Sequence, residues 1–413
     1  MSENTENARN TEVVVIGGGY AGVMAANRLT QRDDVSVTLV NPRPTFVERI
    51  RLHQLAAGSH DAVVDYREVL ADSVRLVVDT VTRIDAAERG LVLAAGGTVG
   101  YDYLVYAVGS GSADPGVPGA AEFAHPLAGL EEAQRLRPVI EAAPASAGVT
   151  VVGAGPTGIE AAAELAEQGR AVTLVCGQVL GPYLHPRVRR AIAARLAALG
   201  MTVLAGPGAT VTAVTRDAVR LSDGRTLPSA VTVWTAGFGV PDLAVRSGLS
   251  TDALGRLLTD ETLTSVDDPR IVAAGDSAAP SGQPLRMSCQ AAGPMGAQAA
   301  DTVLSRIAGR QPEPLVVGFA GQCISLGRRL GVFQFAHRDD SATRFHLGGR
   351  PGAKLKEFIC RQTVKQLTDE ARKPGARGPV LVKNTKRQQL IQARGAASTE
   401  GAAAVAAPVG GRS

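Results

Sequence analysis

Only four cysteines occur in the 413 residues, Cys176, Cys289, Cys323 and Cys360, and no C-x-x-C or Cys/His cluster gathers four ligands for a metal. That excludes a disulfide-stapled scaffold and a short-spaced zinc site, fits a reducing compartment, and reads the thiols as ordinary buried side chains. No uninterrupted apolar run reaches 18 residues, and residues 1–11 (MSENTENARNT) lack the basic start and apolar stretch of a signal peptide. Neither a membrane span nor secretion is predicted, and the expected location is cytoplasmic. None of the six histidines makes a recognisable pair with Ser or Cys, so no catalytic triad is expected. Aromatic residues are scarce at 4%, but hydrophobic residues make up 45%, which excludes general disorder. At about 100–200 residues per domain the length predicts two or three domains with their own cores.

Net charge is only +4 but is unevenly placed: residues 344–394 carry 13 Lys/Arg against Glu357, Asp369 and Glu370. This stretch suits an anionic partner, an acidic protein or a membrane surface, or else is a solvated basic face; no nucleic acid is expected. Within it, Leu355, Phe358, Ile359, Thr363 and Leu367 recur at near-helical spacing beside Lys354, Lys356, Arg361 and Lys365. Such a basic amphipathic helix can lie on an anionic membrane, pack on its own core, or form a homodimer contact. Residues 395–413 are small and Ala/Gly-rich and read as a disordered tail, as do residues 1–11.

Two stretches carry the strongest signal. Glu12–Ile16 (EVVVI) is a β-branched run that enters Gly17-Gly18-Gly19-Tyr20-Ala21-Gly22, then a helical pattern, then a second strand pattern at Val35–Val40. Residues 148–175 repeat this, with strand Val149–Val152, the turn Gly153-Ala154-Gly155-Pro156-Thr157-Gly158, a helix and strand Ala171–Val175. In each, the first glycine permits the tight turn, the second lets backbone approach a pyrophosphate, and the third lets helix and strand pack closely. Helix N–H groups then face the phosphates. Two such fingerprints predict two dinucleotides on one chain. Each is followed by a buried strand entering a glycine, Tyr101–Val108 into Gly109 and Val231–Ala236 into Gly237, and a third apolar strand, Arg270–Ala274, ends in Gly275-Asp276.

In this order the segments resemble the pyridine nucleotide-disulfide oxidoreductase superfamily of two-dinucleotide-binding-domain flavoproteins. Gly17, Gly19 and Gly22 look like its FAD fingerprint; Gly153, Gly155 and Gly158 with Glu160 and Glu164 look like its NAD(P)H fingerprint; Gly275-Asp276 looks like its flavin-binding motif. The resemblance implies an α/β fold of two Rossmann-like domains. A discontinuous FAD domain (12–112 and 255–315) would be split by an NAD(P)H domain (113–254) and followed by a C-terminal interface region (316–394). It also implies that Asp276 holds FAD and that Glu160 positions the nicotinamide. Lacking C-x4-C in the first helix and C-x-x-C in the NAD(P)H domain, the chain is unlike the disulfide reductases. Its motifs are most similar to the type II NADH dehydrogenase branch with its apoptosis-inducing-factor-like quinone reductases, which implies FAD, NAD(P)H, and a quinone or quinone-like acceptor.

The chain departs from that pattern at three places. Asn41, followed by Pro42 and Arg43, stands where an acid usually meets the adenosine ribose of FAD. Cys176 stands at the equivalent place for NAD(P)H, so no carboxylate repels a 2′-phosphate and the choice of NADH or NADPH is open, with a lean toward both. Quinone-reducing members carry A-Q-x-A-x-Q-Q beside the flavin; here Gln290 is kept, but Pro294-Met295 replaces the paired glutamines. Gln290 is the residue expected beside the acceptor. The alternating Arg49, Arg51 and His53 would share one face and bring positive charge to a reduced flavin. A reductase serving a ferredoxin-like protein or a specialised biosynthetic substrate, and a non-catalytic NAD(P)H-responsive sensor, are the alternatives to quinone reduction.

Overall fold

The computed structural model describes residues 10–376, 382–389 and 391. Two five-stranded parallel sheets organise it. The first runs Ile271–Ala273, Tyr103–Tyr106, Thr11–Ile16, Val35–Asn41 and Arg75–Val78, and the second runs Ala124–Pro126, Val231–Trp234, Gly148–Val152, Ala171–Val175 and Thr202–Leu204. Val13, Val14 and Val15 are buried on both faces of the first sheet and Val149 and Val151 within the second, which is why these strands read as continuous apolar runs rather than alternating ones. In both sheets the chain order reverses at the fingerprint strand, and this switch point opens a crevice at the carboxyl ends of the strands.

The chain leaves the first sheet after Tyr106, forms the second, and returns at Ile271; the antiparallel pair Gly111–Ser112 with Phe238–Gly239 joins the outgoing and returning connections. The first strand begins at Thr11, inside the segment expected to be disordered. Residues 1–9 and the expected tail at 395–413 lie outside the described residues. Beyond the second sheet come a three-stranded antiparallel sheet, Gly321–Ser325, Gly331–Ala336 and Ala342–Gly348, and the helix Gly349–Arg372. Among the described residues no helix is long and apolar enough to cross a membrane.

Small residues set the close approaches. The helix Tyr20–Leu29, buried along its whole length, packs on Cys289–Ile307 so tightly that a Cβ at Gly296 would collide with the Ala21 carbonyl. The C-terminal helix is pinned to this pair by a buried cation: Arg28 reaches Asp301 with Nε–Oδ1 at 2.6 Å and Glu370 with Nη1–Oε1 at 3.0 Å. Glu370 is 6% exposed in its side chain, so removing the guanidinium strands a desolvated carboxylate. Arg28→Ala is expected to cost about 3–5 kcal/mol in denaturant unfolding, because breaking one side of a buried pair leaves the other uncompensated. A change below about 1 kcal/mol would place this triad among surface pairs.

Candidate active site

Both glycine loops open on one continuous cavity of ≈ 1420 Å³. At the first loop, Gly17 has φ +98°, and a Cβ at Gly22 would strike the Gly17 carbonyl oxygen. The second loop repeats this, with Gly153 at φ +121° and Gly158 against the Gly153 carbonyl. A Cβ added at Gly19 or Gly155 would meet nothing within 4 Å, and both residues line the cavity, so each leaves backbone bare where a pyrophosphate would approach. Each of these two glycines is also the N-cap of its helix, and neither contributes a side-chain cap; the first-turn N–H groups, one fewer in the second helix because Pro156 opens it, are therefore left free for an anion. These cradles fit two dinucleotides.

Gly109, Gly237 and Gly275, all at positive φ, and Asp276 also line the cavity. Ser110 Oγ donates to Asp276 Oδ2 at 2.7 Å, and Arg49 Nη1 lies 3.8 Å from the same oxygen. Burial pushes the Arg49 guanidinium down while Asp276 opposes the shift.

Asn41 and Arg43 do not line the cavity. Asn41 Oδ1 accepts from the Gly18 N–H at 2.9 Å and its Nδ2 donates to the Arg43 carbonyl at 2.9 Å, so its amide braces the loop from behind. The Arg43 side chain turns to a nearer carboxylate, Glu131, with Nη2–Oε2 at 2.7 Å, and thereby ties the first sheet's loop to the helix Leu130–Ala142. Cys176 does line the cavity, with its thiol pushed up to about 12 by burial.

Three expectations need correction. Arg49, Arg51 and His53 do not all share a face: Arg49 and His53 line the cavity and Arg51 does not, because residues 49–56 form a 3-10 turn and a short helix rather than an extended strand. Arg51 pairs with Glu48 and Glu357 instead, and His53 points to Glu160. Gln290 lines the cavity, but its amide, oriented to satisfy both atoms, donates to Gly321 O and accepts from Ala320 N, each at 2.9 Å. It tethers the helix Cys289–Ile307 to the strand Gly321–Ser325 rather than presenting a free amide to an acceptor. The cysteines are not uniformly buried: only Cys360 is, whereas Cys176, Cys289 and Cys323 are half-buried in the cavity wall. Of the replaced glutamine pair, Met295 is in the core and Pro294 lines the cavity.

Where the two halves meet stands a buried cluster that sequence reading did not assemble. Lys356 Nζ lies 2.9 Å from Glu160 Oε1, the Ser325 N–H donates to the same oxygen at 2.8 Å, and His53 Nδ1 lies 3.7 Å from Glu160 Oε2. Lys356, Glu160 and His53 all line the cavity and are 3–6% exposed. Burial opposes the charge on Lys356, but the Glu160 carboxylate together with Cys323 and Cys360 outweighs it and holds the ammonium well above its ordinary value. Burial likewise opposes charge on Glu160, yet Lys356, then His53 and the Ser325 N–H, bring its carboxyl below the usual range. Burial drives the His53 imidazole down to about 4, so it is neutral at pH 7. The resting site is thus an ammonium–carboxylate pair beside a neutral imidazole. The sequence puts Lys356 among the basic residues beside the apolar stripe of this helix; the stripe that is buried runs through Gly352, Lys356, Cys360, Leu367 and Glu370. A lysine in step with Gly352 and Cys360 at four-residue intervals was the signal available.

A family model described as pyridine nucleotide-disulphide oxidoreductase matches residues 11–300.

The chain belongs to that family.

An NADH dehydrogenase-like protein of Mycobacterium tuberculosis is 33% identical over 329 residues, covering 71% of this chain and 80% of the relative. A type II NADH:quinone oxidoreductase of the same organism is 30% identical over 349 residues, covering 74% of each. The solved sulfide:quinone oxidoreductase of Aquifex aeolicus superposes with a TM-score of 0.74 at 20% identity, over 88% of this chain and 93% of that one, and shares the fold.

Proposed function

We propose that this oxidoreductase holds FAD in the first loop and NADH in the second, and passes two electrons from NADH to a quinone. The observation that carries the reading is the convergence of both glycine cradles on one cavity, with the Lys356–Glu160 pair where they meet. The type II NADH:quinone oxidoreductase relative supports the choice of reductant and acceptor.

Gly17, Gly19, Gly22, Gly109, Gly275 and Asp276 would hold FAD, with Asn41 bracing the loop. Gly153, Gly155, Gly158, Cys176 and Gly237 would hold the nicotinamide nucleotide. Cys176 stands where an acid would repel a 2′-phosphate, so NADPH is a tolerated second reductant. The flavin, once bound, supplies the two-electron chemistry that no side chain here provides. The protein's own part is electrostatic and protonic. The overall reaction, NADH + H⁺ + quinone → NAD⁺ + quinol, takes one proton from the medium. Lys356 is a charged donor at the cavity wall and can give a proton to the reduced acceptor's oxygen, with Glu160 holding it in place and charged until then.

The C-terminal helix turns Lys354, Phe358, Arg361 and Lys365 outward, Phe358 being 57% exposed, and the adjoining strands expose Phe335, Phe345 and Leu347. Aromatic and basic groups on one region suit an anionic lipid surface, where quinone dissolves. The opposite stripe packs on the first sheet's helices, so a lipid surface would meet the outer face and leave that packing in place.

Purified protein mixed anaerobically with NADH should bleach its flavin absorbance, and a quinone should restore it, faster when presented in anionic than in zwitterionic vesicles. Bleaching that ferredoxin-like proteins reverse and quinones do not would overturn the acceptor assignment.

A further inference from the structure

Glu164 sits one turn beyond Glu160 on the helix Pro156–Glu167, which places the two carboxyl groups on one face, about 5–6 Å apart at their Cβ atoms. Glu160 lines the cavity; Glu164 does not. The side chain of Glu164 is 2% exposed, yet one of its oxygens, Oε1, accepts a 2.7 Å hydrogen bond from Ser59 Oγ, and Ser59 is exposed at the protein surface. The other oxygen, Oε2, is buried without a hydrogen-bond partner; Arg328 Nε is 3.1 Å away but lacks the alignment of a hydrogen bond. Glu164 is thus a buried carboxyl with solvent contact through one hydroxyl on one side and the cavity's ion pair on the other.

We propose that Ser59 and Glu164 form a proton port on the outer surface, separate from the cavity mouth, that reloads Lys356 through Glu160 during turnover. The inference rests on the quinone reading above. When both dinucleotides and the acceptor fill the cavity, the proton that the reaction consumes reaches Lys356 from behind. Lys356 gives its proton to the acceptor oxygen and becomes a neutral amine. Glu164 passes its proton to the Glu160 carboxylate, Glu160 passes it to the Lys356 amine, and the medium restores Glu164 through Ser59. One proton enters from the medium and one leaves on the acceptor.

The charges around Glu164 agree with this. Burial raises its carboxyl above the ordinary range, Ser59 and Arg328 pull it down, and the neighbouring Glu167 and Glu160 push it up. Arg328 comes from the turn after Gly321–Ser325, the two glutamates from the same helix, and Ser59 from the segment after Leu52–Ala56. The group holds its proton at higher pH than a free carboxyl, as a loading group should.

Glu164→Gln tests the port, because glutamine still accepts from Ser59 but carries no proton. With wild-type protein, quinone reduction should fall as pH rises through the Glu164 titration. The variant should lose that limb and be about 10- to 100-fold slower, while flavin bleaching by NADH and the melting temperature stay unchanged. A readout independent of turnover is the infrared band of a buried protonated carboxyl in the resting protein, expected in the wild type and absent from the variant. A variant with the wild-type rate, pH profile and infrared band overturns the proposal. Wild-type protein that bleaches with NADH but reduces no quinone overturns the acceptor reading instead, and the infrared band then decides the protonation of Glu164 by itself.

Discussion

Gly19→Val is expected to give a colourless protein that melts at the temperature of the wild-type protein stripped of its flavin, since only the stabilisation by bound cofactor is lost. The Cβ position at Gly19 has nothing within 4 Å and faces the cavity, so the added side chain meets no part of the protein. What it meets is the pyrophosphate that the loop would cradle. Displacing a phosphate from helix N–H groups by even one bond length loses several charge-assisted hydrogen bonds, each worth roughly 1.5–3 kcal/mol. Two of them amount to about a hundredfold or more in affinity. Gly22→Val is the contrasting variant. There the Cβ collides with the Gly17 carbonyl, so folding stability falls by about 1–3 kcal/mol along with flavin content. Flavin absorbance per mole of protein and the melting curve separate the two effects. A yellow Gly19→Val protein would mean that the dinucleotide does not lie against this loop.

The second large effect belongs to Lys356. Lys356→Met should slow quinone reduction by about 10²- to 10⁴-fold, the range for loss of a positioned proton donor, and leave the rate of bleaching by NADH within a few-fold of wild type. It should also destabilise the fold by about 3–5 kcal/mol, because Glu160, 5% exposed, is left as a buried carboxylate without its ammonium. The double variant Lys356→Met/Glu160→Gln separates chemistry from stability. Removing both charges should recover most of the lost stability, since a buried pair contributes little net once its desolvation is counted. It should recover none of the quinone rate. If Lys356→Met reduces quinone at the wild-type rate, the donor is elsewhere in the cavity wall.

Much of the architecture is legible in the sequence because its signals are local. Val13 to Val15 entering Gly17, and Val149 to Val152 entering Gly153, state strand, turn and helix within a dozen residues, and the backbone demands at those glycines are met by no other residue type. The pairing of Arg43 with Glu131 and of Gln290 with the Ala320–Gly321 backbone was not legible, since a polar side chain takes the nearest compatible partner and the sequence does not say which carboxylate or carbonyl folding brings there. The alternation of Arg49, Arg51 and His53 misled for a different reason. A period of two has meaning only on an extended strand, and this stretch coils.

The amino-acid order by itself determined two dinucleotide cradles, their order along the chain and the family to which the chain belongs, because each cradle is a short-range steric requirement written into consecutive residues. The buried centre where the two cradles meet was decided only by tertiary structure. Glu160, Lys356, His53 and Ser325 come from four separate elements. A lysine that looks like surface charge becomes a buried ammonium only when packing of the last helix removes it from water and sets it against a carboxylate contributed nearly two hundred residues earlier.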